Sequence, residues 1–197
     1  MSKTNLWSDA QKLIEKPIES RSPFKGNLLH LHKDKVQLPN GESSFREWIE
    51  HPGACAVVPV FDDGTIMLVK QFRYPVGQVF LEVPAGKIDP GEPPRQTAIR
   101  ETEEETGVVP GSIAYAGHFY PVIGYSDEII HIYVAWNLRS RENNRDRDEF
   151  LVNTRIPWKE ALGWVETGDI TDSKTIVALC KAKSWWKKEQ PFQVDFG

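Results

Sequence analysis

The chain is poor in sulfur, with only two cysteines and two methionines among 197 residues. Cys55 and Cys180 stand singly in apolar stretches, so neither a disulfide framework nor a cysteine-based metal site is expected, and both read as buried thiols kept in a reducing compartment. Long hydrophobic runs are also missing. The longest, such as Ala54 to Phe61, fall far short of the roughly 20 residues that span a bilayer, and Met1 to Ala10 lacks a basic stretch followed by an apolar one. No membrane partner and no export are expected, and the chain reads as cytoplasmic. An excess of positive charge is absent too: 24 Lys and Arg stand against 28 Asp and Glu, a formal net charge of −4, which leaves no basic field to hold a phosphate backbone. A nucleic-acid partner is therefore not expected. What remains is an ordinary globular composition, 40% hydrophobic and 26% charged, enough to bury a core in one domain or one domain with an extension.

The amino-terminal part mixes charge with Pro17 and Pro23, and Asn27 to Val36 alternates apolar and polar residues like an exposed strand. His30 and His32 point the same way on that strand, which makes them a possible ligand pair, but they read as solvated strand residues. From Ala54 the chain becomes strand-rich. Ala54 to Phe61 and Thr65 to Phe72, separated by Asp62-Asp63-Gly64, predict a hairpin, and further strands are expected at Val79 to Val83, Ser112 to Phe119 and Glu128 to Leu138. Pro93 to Thr106, closed by Gly107, predicts a helix, as do Trp158 to Val165 after Pro157 and Lys174 to Lys187 after Thr171, Asp172 and Ser173. Asn137 to Asp148, crowded with Arg and Asp, reads as a polar loop. Strands interleaved with single helices imply an α/β fold, a mixed sheet covered by helices.

The helix from Pro93 is electrostatically costly. Glu101 and Glu105 are i,i+4 neighbours, Glu104 lies three residues from Glu101, and these acids with Glu103 crowd the last turns, where the helix dipole favours cations. Arg100 can pair with Glu104, but one arginine cannot neutralise four carboxylates, and hard divalent cations are the usual compensation for oxygen-only clusters. Mg2+, or Mn2+, is the cofactor this predicts. A solvated acidic helix face is the alternative.

The spacing weighs against that alternative. Gly86, Glu92, Arg100, Glu101, Thr102, Glu104, Glu105, Gly107 and Val108 fall on the offsets of the Nudix box, and only Thr102 departs, standing where the box has a bulkier aliphatic residue that packs the helix on the sheet. The chain thus resembles the Nudix hydrolases, from about Ala54 to Trp185, and within them the branch of ADP-ribose pyrophosphatases and nucleoside diphosphate sugar hydrolases. The pieces that carry the finer resemblance are Lys70 to Gly77, Leu81 to Asp89, Gly124 to Tyr133, Asp148 to Phe150 and Asp172 to Thr175.

The resemblance implies a Nudix fold, a mixed sheet sandwiched between helices with an amino-terminal strand extension. It implies that residues 1–50 help build a homodimer and that residues 51–197 form the hydrolase domain. It implies metal ligation by Glu101, Glu105, the backbone carbonyl of Ala85 and Glu149, with Glu104 ligating or orienting an additional cation. Arg100 would fix the glutamates by salt bridging, Glu92 would close the loop onto the helix, and Glu149, in the polar loop, would take the proton of the attacking water. Arg147 stands where the family often has a second acid. Arg73 would lie near the substrate phosphates and Glu82 would line the nucleotide pocket.

The implied activity is Mg-dependent hydrolysis of the diphosphate of ADP-ribose and related nucleoside diphosphate sugars to a nucleoside monophosphate and a sugar phosphate. Ile123 occupies the position where ADP-ribose pyrophosphatases usually carry proline, with Pro121 two residues earlier, so a broader hydrolase accepting ADP-ribose together with GDP-mannose fits the remaining motifs equally well, and a GDP-mannose-preferring one is the alternative. Phe119, Tyr120 and Tyr125 offer rings that can stack a base, but aromatic residues at strand positions more often belong to a core. A decapping role is disfavoured by the charge balance. A noncatalytic module that senses nucleotide sugars would show a degraded acidic cluster, whereas this one is intact. Trp185 and Trp186 are expected to pack the last helix on the domain rather than to meet a membrane.

Overall fold

Local patterning resolves into ten strands and three α-helices in the computed structural model, which describes residues 7–141 and 150–196. These form two compact units: one holds the described residues up to His51 together with Val122–Glu128, the other the described residues of Pro52–Pro121 and from Ile129 onward.

The first unit is an antiparallel meander, β1 (Lys16–Lys25), β2 (His30–Gln37) and β3 (Ser43–Glu50), in the order β1-β2-β3. A short 3-10 turn at Ala10–Leu13 precedes it. β2 and β3 run in unbroken register from His30 opposite Glu50 to Gln37 opposite Ser43. Their turn closes through Gly41, whose φ of +89° suits glycine and whose N–H bonds to the Leu38 carbonyl at 2.9 Å. β1 is exposed along its whole length, and its pairing slips between Pro17 and Glu19 and between Arg21 and Phe24, near the two prolines that an edge strand tolerates.

The second unit contains β4 (Ala54–Pro59), β5 (Thr65–Arg73), β6 (Gln78–Glu82), β7 (Ala85–Lys87), α1 (Pro94–Thr106), β8 (Val108–Phe119), β9 (Ile130–Ser140), β10 (Leu151–Pro157), α2 (Trp158–Thr167) and α3 (Ser173–Glu189). A mixed sheet runs β7-β4-β9-β8, with β4 and β9 parallel, and an antiparallel sheet runs β10-β5-β6. The two-residue period of β4 sorts the core. Ala54, Ala56 and Val58 face the cluster that includes Ala178, Leu179 and Trp186 of α3, while Cys55 and Val57 face Ala98 of α1. The mixed sheet is therefore covered by a helix on each face, as expected.

Several local expectations are corrected. Ala54 to Phe61 and Thr65 to Phe72 do not pair as a hairpin: all six residues of β4 are buried and its edges are taken by β7 and β9, while β5 lies between β10 and β6, leaving a single bridge from Val60 to Ile66. The turn itself is present, with Phe61 N–H on the Thr65 carbonyl at 2.8 Å. Asn137 to Ser140, read as loop, extends β9 along β8, because backbone pairing outweighs the polarity of its side chains. Cys180 is exposed on α3, since it falls off the helix face that presents Ala178, Leu179 and Ala182 to the core; Cys55 is buried as expected. Tyr120 and Tyr125 are exposed, whereas Phe119 packs against the core. Trp186 is buried, edge-on to Trp158 at 5.8 Å between ring centroids. No helix among the described residues is long and apolar enough to cross a membrane.

Candidate active site

The acidic side of α1 lies against the β7 backbone. Helix formation begins at Pro94, preceded by Pro93 in an extended conformation, and ends at Gly107, which adopts the left-handed conformation with φ 71°. Thr97, Ala98, Glu101, Thr102 and Glu105 point inward. Thr102 is fully buried where a larger aliphatic residue was expected, and its hydroxyl donates to the Ala98 carbonyl at 2.7 Å, so the polar atom is satisfied within the helix.

The carboxylates of Glu101 and Glu105 meet adjoining residues of β7. Glu105 accepts the Ala85 N–H at 3.0 Å. A Cβ built on Gly86 would lie 2.0 Å from the Glu101 carboxyl carbon, so only glycine lets that carboxylate come so close to the strand. Arg100 ties the cluster together. It donates to Glu92 at 3.0 and 3.2 Å, to Glu101 at 2.7 Å, to Glu104 at 2.9 Å and to the Lys87 carbonyl at 3.3 Å. Glu92 also accepts from the Thr97 hydroxyl at 2.7 Å. The Arg100 hydrogen bond holds the Glu92 carboxyl down at about 2, against its burial, and the surrounding acids push the Arg100 guanidinium up. A second arginine, Arg141 just past the end of β9, meets Glu103 at 2.5 Å, so three of the helix's carboxylates, Glu101, Glu103 and Glu104, are paired with arginine, where the sequence suggested only Glu104.

A second charged group adjoins this one. Arg73 on β5 donates two bonds to Glu82 on β6, at 2.8 and 2.6 Å, and Glu105 is close enough to contribute to the upward push on the Arg73 guanidinium. Lys174 also donates to Glu82, and to Asp172 at 2.7 Å. Burial opposes charge on Glu82, but the bonds from Arg73 and the charge of Lys174 outweigh it and keep the carboxyl below its usual range. Asp172 caps α3 by accepting the Thr175 N–H at 3.0 Å, and the Thr175 hydroxyl receives the Val83 N–H at 2.9 Å, which fixes the end of β6 against the start of α3.

The structure thus brings together Arg73, Glu82, Ala85, Glu92, Arg100, Glu101, Glu104 and Glu105. Glu149 and Arg147 lie outside the described residues. Ile123 is exposed, in the segment that belongs to the amino-terminal unit. Sequence reasoning missed Lys174. Its signal was a cation in the first turn of a helix, where the dipole disfavours one unless an acid holds it.

Comparison with known proteins shows the family of the chain. The sequence profile of the NUDIX domain matches residues 50–179. An ADP-ribose pyrophosphatase from Bacillus subtilis (strain 168) is 42% identical over 86% of this chain and 92% of its own. A methanol dehydrogenase activator from Bacillus methanolicus is also 42% identical, over 84% of this chain and 90% of its own. A crystal structure of an ADP compounds hydrolase superposes with a TM-score of 0.79, covering 90% of this chain and 97% of that one at 23% identity. With that profile spanning most of the chain and laid over the β7–α1 cluster, the protein belongs to the Nudix family.

Proposed function

We propose that this chain is a divalent-metal-dependent pyrophosphohydrolase that splits the diphosphate of ADP-ribose and related nucleoside diphosphate sugars into a nucleoside monophosphate and a sugar phosphate. One observation carries the reading: two carboxylates one helical turn apart, Glu101 and Glu105, are set against adjoining backbone positions at Ala85 and Gly86, with glycine clearing the space. That donor set is oxygen only, which suits Mg2+ or Mn2+. Glu101, Glu105 and the Ala85 carbonyl would hold the ion, Glu104 would serve a further one, and Glu149 would complete the set and act as base. When bound, such a cation neutralises diphosphate oxygens and lowers the pKa of a coordinated water. The chain's own part is positional: Arg100 fixes Glu101 and Glu104 through its fork of donors, and Glu92 fixes Arg100. Arg73 and Glu82 would meet the phosphates and the nucleotide.

The first unit fits a dimerising role for residues 1–50. It exposes Ile18, Phe24, Leu28 and Phe45, an apolar set that a second copy would cover. Ile123, exposed where the ADP-ribose pattern has proline, favours a tolerant sugar specificity that includes GDP-mannose.

The test is product analysis on ADP-ribose, GDP-mannose and UDP-glucose, each with magnesium and with chelator. AMP and ribose 5-phosphate from ADP-ribose are expected, and Glu105→Gln should lower kcat by at least about 100-fold while the chain stays folded. Cleavage of ADP-ribose alone would establish the narrow specificity. Binding of the nucleotides without turnover would replace the hydrolase by a sensing module.

A further inference from the structure

The amino-terminal sheet brings together a second set of ligating side chains, chemically unlike the cluster on α1. His30 and His32, two residues apart on β2, share one face of the strand. The register of β3 places Glu50 opposite His30 and Trp48 opposite His32. The acid that meets both histidines is supplied across the sheet. One oxygen of Glu50, Oε2, lies 2.7 Å from His30 Nδ1 and 2.8 Å from His32 Nε2. Ligand atoms of the three residues all lie within 4.8 Å of one another.

The rings are held in place. The two imidazole centroids are 4.3 Å apart, and His32 stacks on the Trp48 indole at 4.4 Å with planes 14° apart. Trp48 is anchored in turn, its Nε1 donating to Asp34 at 2.7 Å. The imidazoles are mostly covered, with side-chain exposures of 24% and 16%, whereas Glu50 is 51% exposed and leaves a path from solvent.

We propose that His30, His32 and Glu50 form a binding site for a borderline-soft divalent cation, Zn2+ foremost, that ties β2 to β3. Two imidazole nitrogens and one carboxylate are a donor set that zinc accepts and that magnesium, which takes oxygen ligands, does not favour. Around a tetrahedral ion with ligand bonds of about 2.0–2.1 Å, neighbouring donors stand about 3.3–3.4 Å apart. Movement of the exposed Glu50 carboxylate away from the two imidazoles lengthens the hydrogen-bonded separations toward that spacing. Three protein ligands leave the remaining position to water. The site is independent of the hydrolytic reading, because it shares no residue with the α1 cluster.

The experiment uses the full chain carrying Glu101→Gln and Glu105→Gln, which weakens the oxygen cluster, stripped with chelator, reloaded with Zn2+ and dialysed against excess Mg2+. Zinc retained per chain is measured by elemental mass spectrometry, and Co2+ is titrated as a visible-absorption probe. The expected result is one equivalent of zinc retained against excess Mg2+, Co2+ ligand-field bands, and a zinc-dependent rise in Tm. Adding His30→Gln and His32→Gln should weaken zinc binding at least about tenfold and remove the bands and the rise in Tm. Glu50→Gln, at the exposed side, gives a second variant that should also weaken binding if the histidine pair proves needed for folding. Zinc binding of equal strength in Glu50→Gln and its parent overturns the proposal. So does a parent that binds no zinc, which would leave only a hydrogen-bonded His-Glu-His group.

Discussion

Gly86 sets how near α1 can bring Glu101 to the backbone of β7. In Gly86→Ala the added methyl would stand 2.0 Å from the Glu101 carboxyl carbon, so the carboxylate must move. The metal concentration for half-maximal hydrolysis is expected to rise at least about tenfold, read in a magnesium titration. Glu92 makes a different prediction, for stability. Its folded pKa lies near 2, well below the ordinary value of 4.5, so its contribution is present above about 4.5 and is lost as pH falls through about 2. Glu92→Gln should therefore melt below the parent near neutral pH, with the gap closing as pH is lowered from about 5 toward 2, measured by thermal melts across that range. At this scale the sequence was most legible where the partners share one helix, since the grouping of Glu101, Glu104 and Glu105 and the Arg100–Glu104 pair follow from helical spacing, while their roles came from the resemblance to the Nudix box. Lys174 was not legible because its partner Glu82 lies 92 residues away, and only the tertiary fold joins them.

Elements whose apolar residues occupy one face were legible, and elements defined by what they pair with were not. α3 shows the first case. Trp186 is 1% exposed, meets Trp158, Trp136 and Phe192, and donates through Nε1 to the Phe192 carbonyl at 3.1 Å. Trp186→Ala should cost about 3–5 kcal/mol of unfolding free energy, measurable by denaturant titration. β4 and β5 show the second case: a run apolar on both sides followed by a turn fits a hairpin and an interior strand equally well in sequence, and pairing with the distant β9 decided it. β1, β3 and β10 carry no clean alternation. β1 is exposed throughout, and in β10 only Leu151 and Ile156 are buried, so there was little burial for the sequence to record.

For the whole molecule, the resemblance implied a hydrolase domain from residue 51 preceded by strands; the described residues form two compact units, and Val122–Glu128, inside that domain in sequence, belongs with the strands. If the exposed apolar residues of the first unit serve a dimer, Ile18→Glu with Phe24→Glu should convert a dimer to a monomer in sedimentation velocity. The way the first unit borrows a later segment has a consequence for synthesis. The Ile49 N–H bonds to the Tyr125 carbonyl at 2.8 Å, the Ile49 carbonyl receives the Ser126 hydroxyl at 3.1 Å, and the His51 N–H reaches Asp127 at 2.8 Å. On a chain growing from its amino terminus, the Ile49 carbonyl waits 77 residues for that hydroxyl. The end of β3 must therefore stay solvated on the ribosome until Val122–Glu128 emerges, and a fragment cut after His51 would carry the same three groups open to water, making the amino-terminal sheet a poor module to transplant.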